Sequence, residues 1–362
     1  MIKQKTVSEE NTIKGYILKN NSNNIGYISL PSFYTDMLDG DSPGCANDVA
    51  KEILKLEGDT IKGLIIDLRN NGGGSMSEAM NLAGIFIDEG PLFIYKEKNK
   101  KPHLYKDFNR GSIFHKPIVV LINETSASAS ELFCNIVKDY NLGLVVGQTS
   151  YGKGSAQVVI PLDTNALKSE ESMKKATDFI KVTHAMFYRL NCTSHQGIGV
   201  IPDVVLPGIP GYANYKENKE HYFLSAETIV KNVVYQPRPP IDMATVQQNS
   251  KVRVDNSADF KKLKLSSDSL LLFMNNTQKI VLKYNEFKQY KKTTEQLYQS
   301  FVSASKARTN VVKCVDNTFD NKITNVNEQK KEFNSKIRES IEEDIFINES
   351  FFIMNDLISL TK

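Results

Sequence analysis

The sequence predicts an α/β protein with a mostly helical C-terminal region, and three observations carry that expectation. Apolar runs at residues 63–68, 117–122 and 142–147 lack polar alternation, the pattern of strands buried on both faces. Segments with helical spacing lie between such runs, which indicates an α/β layer architecture. After residues 207–211 (PGIPG) the composition shifts to Lys, Asn, Glu and Ser, with leucines and phenylalanines at helical intervals.

Taken in order, GYISL (26–30) reads as a short buried strand, and residues 46–57 carry helical spacing. GLIIDL (63–68) is a strand whose backbone must then turn sharply through RNNGGG (69–74). Ser75 followed by Glu78 has the pattern of a capping box and predicts a helix through about residue 86. The strand at 117–122 leads to a helix over 129–140. Strands follow at 142–147 and 156–162, and 179–190 reads as a strand or hairpin arm. Farther on, helical spacing recurs at 269–282, 284–301 and 328–360, and Pro237, Pro239 and Pro240 interrupt this part once. The expected division is a polar segment at 1–12, an α/β domain at 13–208 and a mostly helical domain at 212–362.

The 362 residues are 40% hydrophobic and 24% charged, enough for one sizeable core and a second unit. The 45 basic and 42 acidic residues give a net charge of +3, too even to argue for a nucleic-acid partner. Lys-rich runs near 96–101 and 279–292 read as solvated faces. Cys45, Cys134, Cys192 and Cys314 show no paired spacing, so neither a metal site nor a disulfide framework is implied. The chain has no apolar run long enough to span a bilayer, and MIKQKTVSEENT (1–12) is polar. Neither a membrane span nor a signal peptide is therefore expected in the chain as it stands.

The chemistry concentrates in two segments, TSASASE (125–131) and YGKG (151–154). Ser128 falls where a strand ends and a helix begins, among backbone N–H groups that point toward negative charge. A serine is a weak nucleophile unless a base takes its proton, and Lys153 can be that base if burial keeps it neutral. No histidine lies near either segment in sequence, so a Ser–Lys dyad is weighed rather than a Ser-His-Asp triad. An oxyanion could be held by the Ala129 N–H and by a donor from the Gly72-Gly73-Gly74 turn, where bare backbone can approach a substrate. Taken singly, each feature has a plainer reading: SASAS as a small-residue helix cap, GGG as a turn.

Residues 147–153 also fit G-x-x-x-x-G-K, the phosphate-binding loop pattern. Gly154 stands where that motif needs Ser or Thr, and AQVVIPL (156–162) reads as a strand where it needs a helix. Nucleotide binding is therefore set aside. On that strand Lys153, Ser155 and Gln157 share a face by the two-residue period, so Gln157 can hold the lysine amine without adding charge.

Together IIDLRNNGGG (65–74), INETSASASELF (122–133), VVGQTSYGKGSAQ (145–157) and GIGVIPDVVLP (197–207) resemble the peptidase domain of the C-terminal processing, or tail-specific, protease family of Ser–Lys peptidases. The resemblance spans residues 13–207. It implies a crotonase/ClpP-like ββα-spiral fold and a serine endopeptidase acting on unfolded or tail-marked proteins through an acyl-enzyme, without a cofactor. It makes Ser128 the nucleophile, Lys153 the general base and Gln157 its positioning partner. Backbone N–H groups of Gly73, Gly74 and Ala129 are the implied oxyanion donors. Gly72 stands where many members have proline.

The periplasmic branch, with its helical C-terminal domain, is the most similar, and DIFINESFFIMND (344–356) resembles that domain's closing helix. The branch implies a periplasmic or cell-envelope setting. Some of its members are credited with a catalytic aspartate, which would match Asp139. That residue lies about 16 Å beyond Ser128 along the helix, at 1.5 Å per residue, and a structural role is expected instead. His103, His115, His184, His195 and His221 have no role in the family and are read as ordinary surface or core residues. Family members usually carry a PDZ domain. Here 1–12 run straight into the peptidase domain, so a PDZ-bearing adaptor or an N-terminal region is the expected partner besides protein or peptide substrates. Two rivals are weighed: a weakly active or inactive peptide-binding scaffold lacking its PDZ domain, and a crotonase-type acyl-CoA enzyme. Intact Ser128, Lys153 and Gln157 argue against full loss of catalysis in the first, and the Ser–Lys pair, which crotonase-type enzymes do not require, discriminates against the second.

Overall fold

The computed structural model describes residues 13–20, 23–35, 44–208, 216–276, 282–308, 311–324 and 328–360. The polar segment 1–12, the end of the PGIPG turn and residues 277–281 of one expected helix lie outside them. The first half contains β1 (Gly15–Lys19), β2 (Asn24–Ser29), α1 (Cys45–Gly58), β3 (Leu64–Asp67), α2 (Met76–Gly84), β4 (Gly90–Glu97), β5 (His103–Asp107), β6 (Ile118–Ile122), α3 (Ala129–Asp139) and β7 (Gly143–Gly147). β8 (Ser155–Pro161), α4 (Glu170–Lys175), β9 (Phe179–Tyr188) and β10 (Val204–Val205) follow. The rest is mostly helical, with one strand among the described residues: α5 (Met243–Asn256), α6 (Ala258–Asn276), α7 (Tyr284–Ala304), β11 (Lys313–Asp316), α8 (Thr318–Thr324), α9 (Glu328–Glu342) and α10 (Ile345–Leu360).

Among the described residues the main sheet has seven strands in the order β10-β7-β6-β3-β2-β1-β11. The strands from β2 to β10 run parallel, while β1 is antiparallel to both β2 and β11. The strand period explains why its central strands are apolar throughout. Leu64, Ile66, Ile118, Val120 and Val145 join the core beneath α1, α2 and α3. Their neighbours Ile65, Val119, Leu121, Leu144 and Val146 join a second core with α10 on the opposite face. α10 packs on β3, β6 and β7, so the C-terminal helix covers the main sheet.

A second sheet, β5-β4-β9-β8, is antiparallel and places β8 at its edge. The expected capping box at Ser75 forms only in half. Ser75 Oγ accepts from the Glu78 N–H at 3.3 Å, but the Glu78 carboxylate accepts instead from the Ala46 N–H of α1 at 2.9 Å. A tertiary donor has taken the carboxylate that the local pattern assigned to the cap. The expected helical stretch 328–360 is two helices. Asp344 breaks it by accepting from the N–H groups of Phe346 and Ile347, at 2.8 and 3.0 Å, and so capping α10.

Candidate active site

Three turns converge at the C-terminal ends of β3, β6 and β7, the end of a parallel sheet where ligands usually bind. The first is the Gly-rich turn after β3. Asn71, fully buried, ties it down: its Nδ2 donates to Leu30 O at 2.9 Å and its Oδ1 accepts from the Gly73 N–H at 2.9 Å. Its backbone carbonyl accepts from the Ala127 N–H at 3.0 Å and from Ser130 Oγ at 2.9 Å. Ser126 Oγ donates to Leu68 O at 2.8 Å. The small residues around Ser128 thus stitch the second turn to the first. Gly73 adopts φ +100°, and a Cβ built there would lie 2.7 Å from Ser128 Cβ and 3.0 Å from the Ala129 nitrogen. Only glycine allows this approach.

Ser128 sits at φ 58°, ψ −112°. A non-glycine residue in such a conformation costs about 1–3 kcal/mol and persists only where its surroundings impose it. Here the Ser128 N–H donates to Glu131 Oε2 at 2.8 Å. The next N–H, that of Ala129, opens α3 and has no acceptor among the described residues. The Gly74 N–H likewise has none, whereas that of Gly73 is taken by Asn71.

The third turn carries Lys153, and the same carboxylate holds it. Glu131, with no exposed surface, accepts the Lys153 N–H on Oε2 at 2.8 Å. Its Oε1 accepts the Gly152 N–H at 2.7 Å and Ser150 Oγ at 2.5 Å. One oxygen therefore joins the backbones of Ser128 and Lys153. Segment 194–200 closes the turn from the other side. The Gly197 N–H donates to Gly152 O at 2.7 Å, and His195 Nε2 lies 3.2 Å from Lys153 O. The His195 Nδ1 meets Asn135 Nδ2 at 3.0 Å. His195 is thus a core residue, as expected, but one that packs directly under the Lys153 turn.

The Lys153 side chain is half-buried rather than enclosed, and its Nζ donates to Gln157 Oε1 at 3.3 Å. A bulge between Ala156 and Gln157 interrupts the two-residue alternation of β8. Lys153, Ser155 and Gln157 nevertheless line one open cavity of about 700 Å³, which Ala127, beside Ser128, also borders. Among the described residues Lys153 makes no ion pair, and its side-chain acceptor is the uncharged Gln157 amide oxygen. Asp139 is placed elsewhere: it accepts from Arg189 at 2.5 and 2.9 Å and from the Leu190 N–H at 3.3 Å. That is the structural role expected at the end of α3. Among the described residues no cluster of His, Cys, Asp and Glu could hold a metal ion, and no helix is long and apolar enough to cross a membrane.

A parallel sheet that presents a strained serine at a helix N-terminus, beside a Gly-rich turn and a lysine, has the architecture of a serine-peptidase domain. The chain belongs to peptidase family S41, whose model matches residues 24–206, just over half its length. A second model, the C-terminal domain of tail specific protease, matches residues 212–359. Over 235 residues the chain is 32% identical to the tail-specific protease of Haemophilus influenzae, covering 63% of this chain and 31% of that protein. It is 33% identical over 183 residues to the carboxy-terminal-processing protease of Bartonella bacilliformis, covering 50% of this chain and 38% of that one. Among solved structures it is similar to a photosystem II D1 C-terminal processing protease, at 29% identity and a TM-score of 0.42, covering 51% of this chain and 42% of that one. The chain thus spans roughly a third of the length of the curated relatives it matches.

Proposed function

We propose that this chain carries the catalytic unit of a serine endopeptidase of the tail-specific type, working through a Ser128–Lys153 dyad. Ser128 Oγ attacks a peptide carbonyl carbon while Lys153 Nζ takes its proton. The resulting oxyanion is stabilised by the Ala129 N–H together with the Gly74 N–H, since that of Gly73 is held by Asn71. When the intermediate collapses, the C–N bond breaks, the leaving amine takes the proton from Lys153, and an acyl-enzyme remains on Ser128. Water then attacks the ester, its proton passing to Lys153 and returning to Ser128. Gln157 orients the amine through its carbonyl oxygen, an uncharged acceptor.

The observation that carries this reading is the Glu131 Oε2 clamp, which fixes the nucleophile and base backbones with 2.8 Å hydrogen bonds to one buried atom. The proposed substrates are unfolded or tail-marked proteins in a periplasmic or cell-envelope setting. A PDZ-bearing adaptor or N-terminal region would capture tails for the site. The test is labelling by a fluorophosphonate probe together with cleavage of casein. Wild-type protein should label on Ser128 and cleave. Ser128→Ala should do neither, and Lys153→Ala and Lys153→Arg should both lose turnover, because a guanidinium does not deprotonate in this role. Near wild-type turnover in Lys153→Ala would overturn the dyad.

A further inference from the structure

Residues 216–224 form a strap, with a 3-10 turn at Glu217–Lys219, that lies against the Lys153 turn and walls the cavity. It begins the part of the chain that matches the C-terminal domain of tail specific protease. Lys216 Nζ donates to Thr149 O at 3.3 Å, the Glu217 N–H to Tyr151 O at 3.3 Å, and Tyr151 Oη to Glu220 Oε1 at 3.1 Å. These contacts reach residues two to four positions before Lys153.

Gln196 brings the strap one step closer. It is buried, and its side-chain amide is fully used. Its Oε1 accepts from the Gly154 N–H at 2.6 Å, next to Lys153, while its Nε2 donates to Glu217 Oε1 at 3.1 Å and to Leu224 O at 3.0 Å. One oxygen and two N–H groups, all satisfied, bridge the base turn and the strap. No other side-chain chemistry accepts on one side and donates twice on the other, except that of Asn, which is a methylene shorter.

We propose that Gln196 is a positioning residue through which the docked strap sets the placement of Lys153. The strap is then more than a cavity wall: when it is seated, Gln196 is held at both ends and fixes Gly154. When a partner or substrate displaces the strap, Gln196 loses two of its three partners and the base turn loosens. This rests on the Ser128–Lys153 reading above.

Gln196→Glu separates the two roles. Glutamate keeps an oxygen for the Gly154 N–H but sets a second oxygen against Glu217 and Leu224 O, so it breaks the strap arm alone. If Gln196 positions the base, kcat should fall roughly 100-fold, the scale of a misplacement near 1 Å, while KM stays within about twofold. Adding Glu217→Gln restores a donor opposite the introduced carboxylate, and the double variant should recover part of kcat. Glu217→Ala, which removes one strap acceptor but leaves Gln196 and the base turn themselves unsubstituted, should lower kcat in the same direction by a smaller factor. It decides the matter alone if Gln196→Glu does not fold, as checked by its melting temperature. A strap that is only a wall predicts the opposite split, with KM raised and kcat unchanged, and that result would overturn the proposal. So would a folded Gln196→Glu with wild-type kcat. Failure of the dyad reading is distinguishable, because wild-type protein would then turn over no faster than Ser128→Ala.

Discussion

Glu131 Oε2 accepts from both Ser128 and Lys153, so replacing it reaches the proposed nucleophile and the proposed base together. Glu131→Gln keeps the shape but turns one acceptor into a donor that faces existing donors. Leaving such buried groups unpaired costs about 1–3 kcal/mol each, so the melting temperature should drop clearly. Turnover should fall on the order of 100-fold if the dyad reading holds, as both proposed reacting groups lose their anchor. A kcat within twofold of wild type would show that the clamp is dispensable. The placement of Ser128 at the start of α3 and of Lys153 and Gln157 on one cavity was legible in the sequence, and their proposed roles rest on the motifs that carry the family resemblance. Glu131 lies inside one of those motifs but could be read only as a helix residue, since three of its four donors come from the turn at 150–153. Gln196 and His195 were silent for the same reason: their partners are fixed by tertiary contacts. The cysteines give a second residue-scale expectation. Burial raises the thiol pKa of Cys45 to about 12, with help from the nearby Glu78 carboxylate, and burial likewise raises those of Cys134 and Cys314. Raised pKa values keep these groups as thiols far above neutral pH, and the thiolate is the reactive form. At pH 8 a thiol reagent should therefore modify the partly exposed Cys192 in the native protein and reach the other three only after denaturation. Labelling of Cys134 in native protein would contradict this packing.

The elements that the sequence announced most clearly are those with short-range causes. β3, β6 and β7 are apolar because each is sandwiched between two cores, and that burial shows directly in composition. β1, β4, β5, β10 and β11 went unread. β11 is four residues, KCVD, and its existence depends on pairing with β1 about 300 positions earlier, which no local pattern reports. The Gly-rich turn was legible as a turn, but not its tight fit against Ser128. That fit yields a sharp expectation for Gly73→Ala. The substitution would place a methyl 2.7 Å from Ser128 Cβ and 2.8 Å from Ala127 O, at a φ of +100° that alanine disfavours. Either the turn or the serine must move. Activity should be lost, while the fold, whose two cores are built mainly from the sheet strands and the helices packed on them, is retained. Circular dichroism close to wild type together with absent probe labelling is the expected pair of results. Full labelling would mean that the turn can yield without moving Ser128.

At the scale of the whole molecule, the composition shift near residue 208 coincides with the boundary between the two family matches, yet the packing runs across it. The C-terminal part supplies β11, which pairs with the edge of β1, and α10, which covers the sheet face made by Ile65, Val119, Leu121, Leu144 and Val146. Arg69, just before the Gly-rich turn, pairs with Asp67 at 2.6 Å and with Asp344, the cap of α10, at 2.9 Å. The closing helix is thus linked to the segment that leads into the candidate active site. A chain cut after residue 208 would expose that apolar sheet face, and at roughly 25 cal/mol per Å² of apolar surface this is a loss that a domain of marginal stability cannot absorb. The fragment 13–208 should therefore be insoluble or bind a hydrophobic dye, although it contains Ser128, Lys153 and Gln157. A milder version of the same argument can be tested in the intact chain. Phe351 has no exposed surface in the α10 core, and Phe351→Ala should destabilise the protein by about 3–5 kcal/mol. In denaturant, activity should vanish together with the global unfolding signal rather than after it. If 13–208 folded cooperatively alone and cleaved casein, the sheet would not need its C-terminal cover, and the two matched segments would be separable domains.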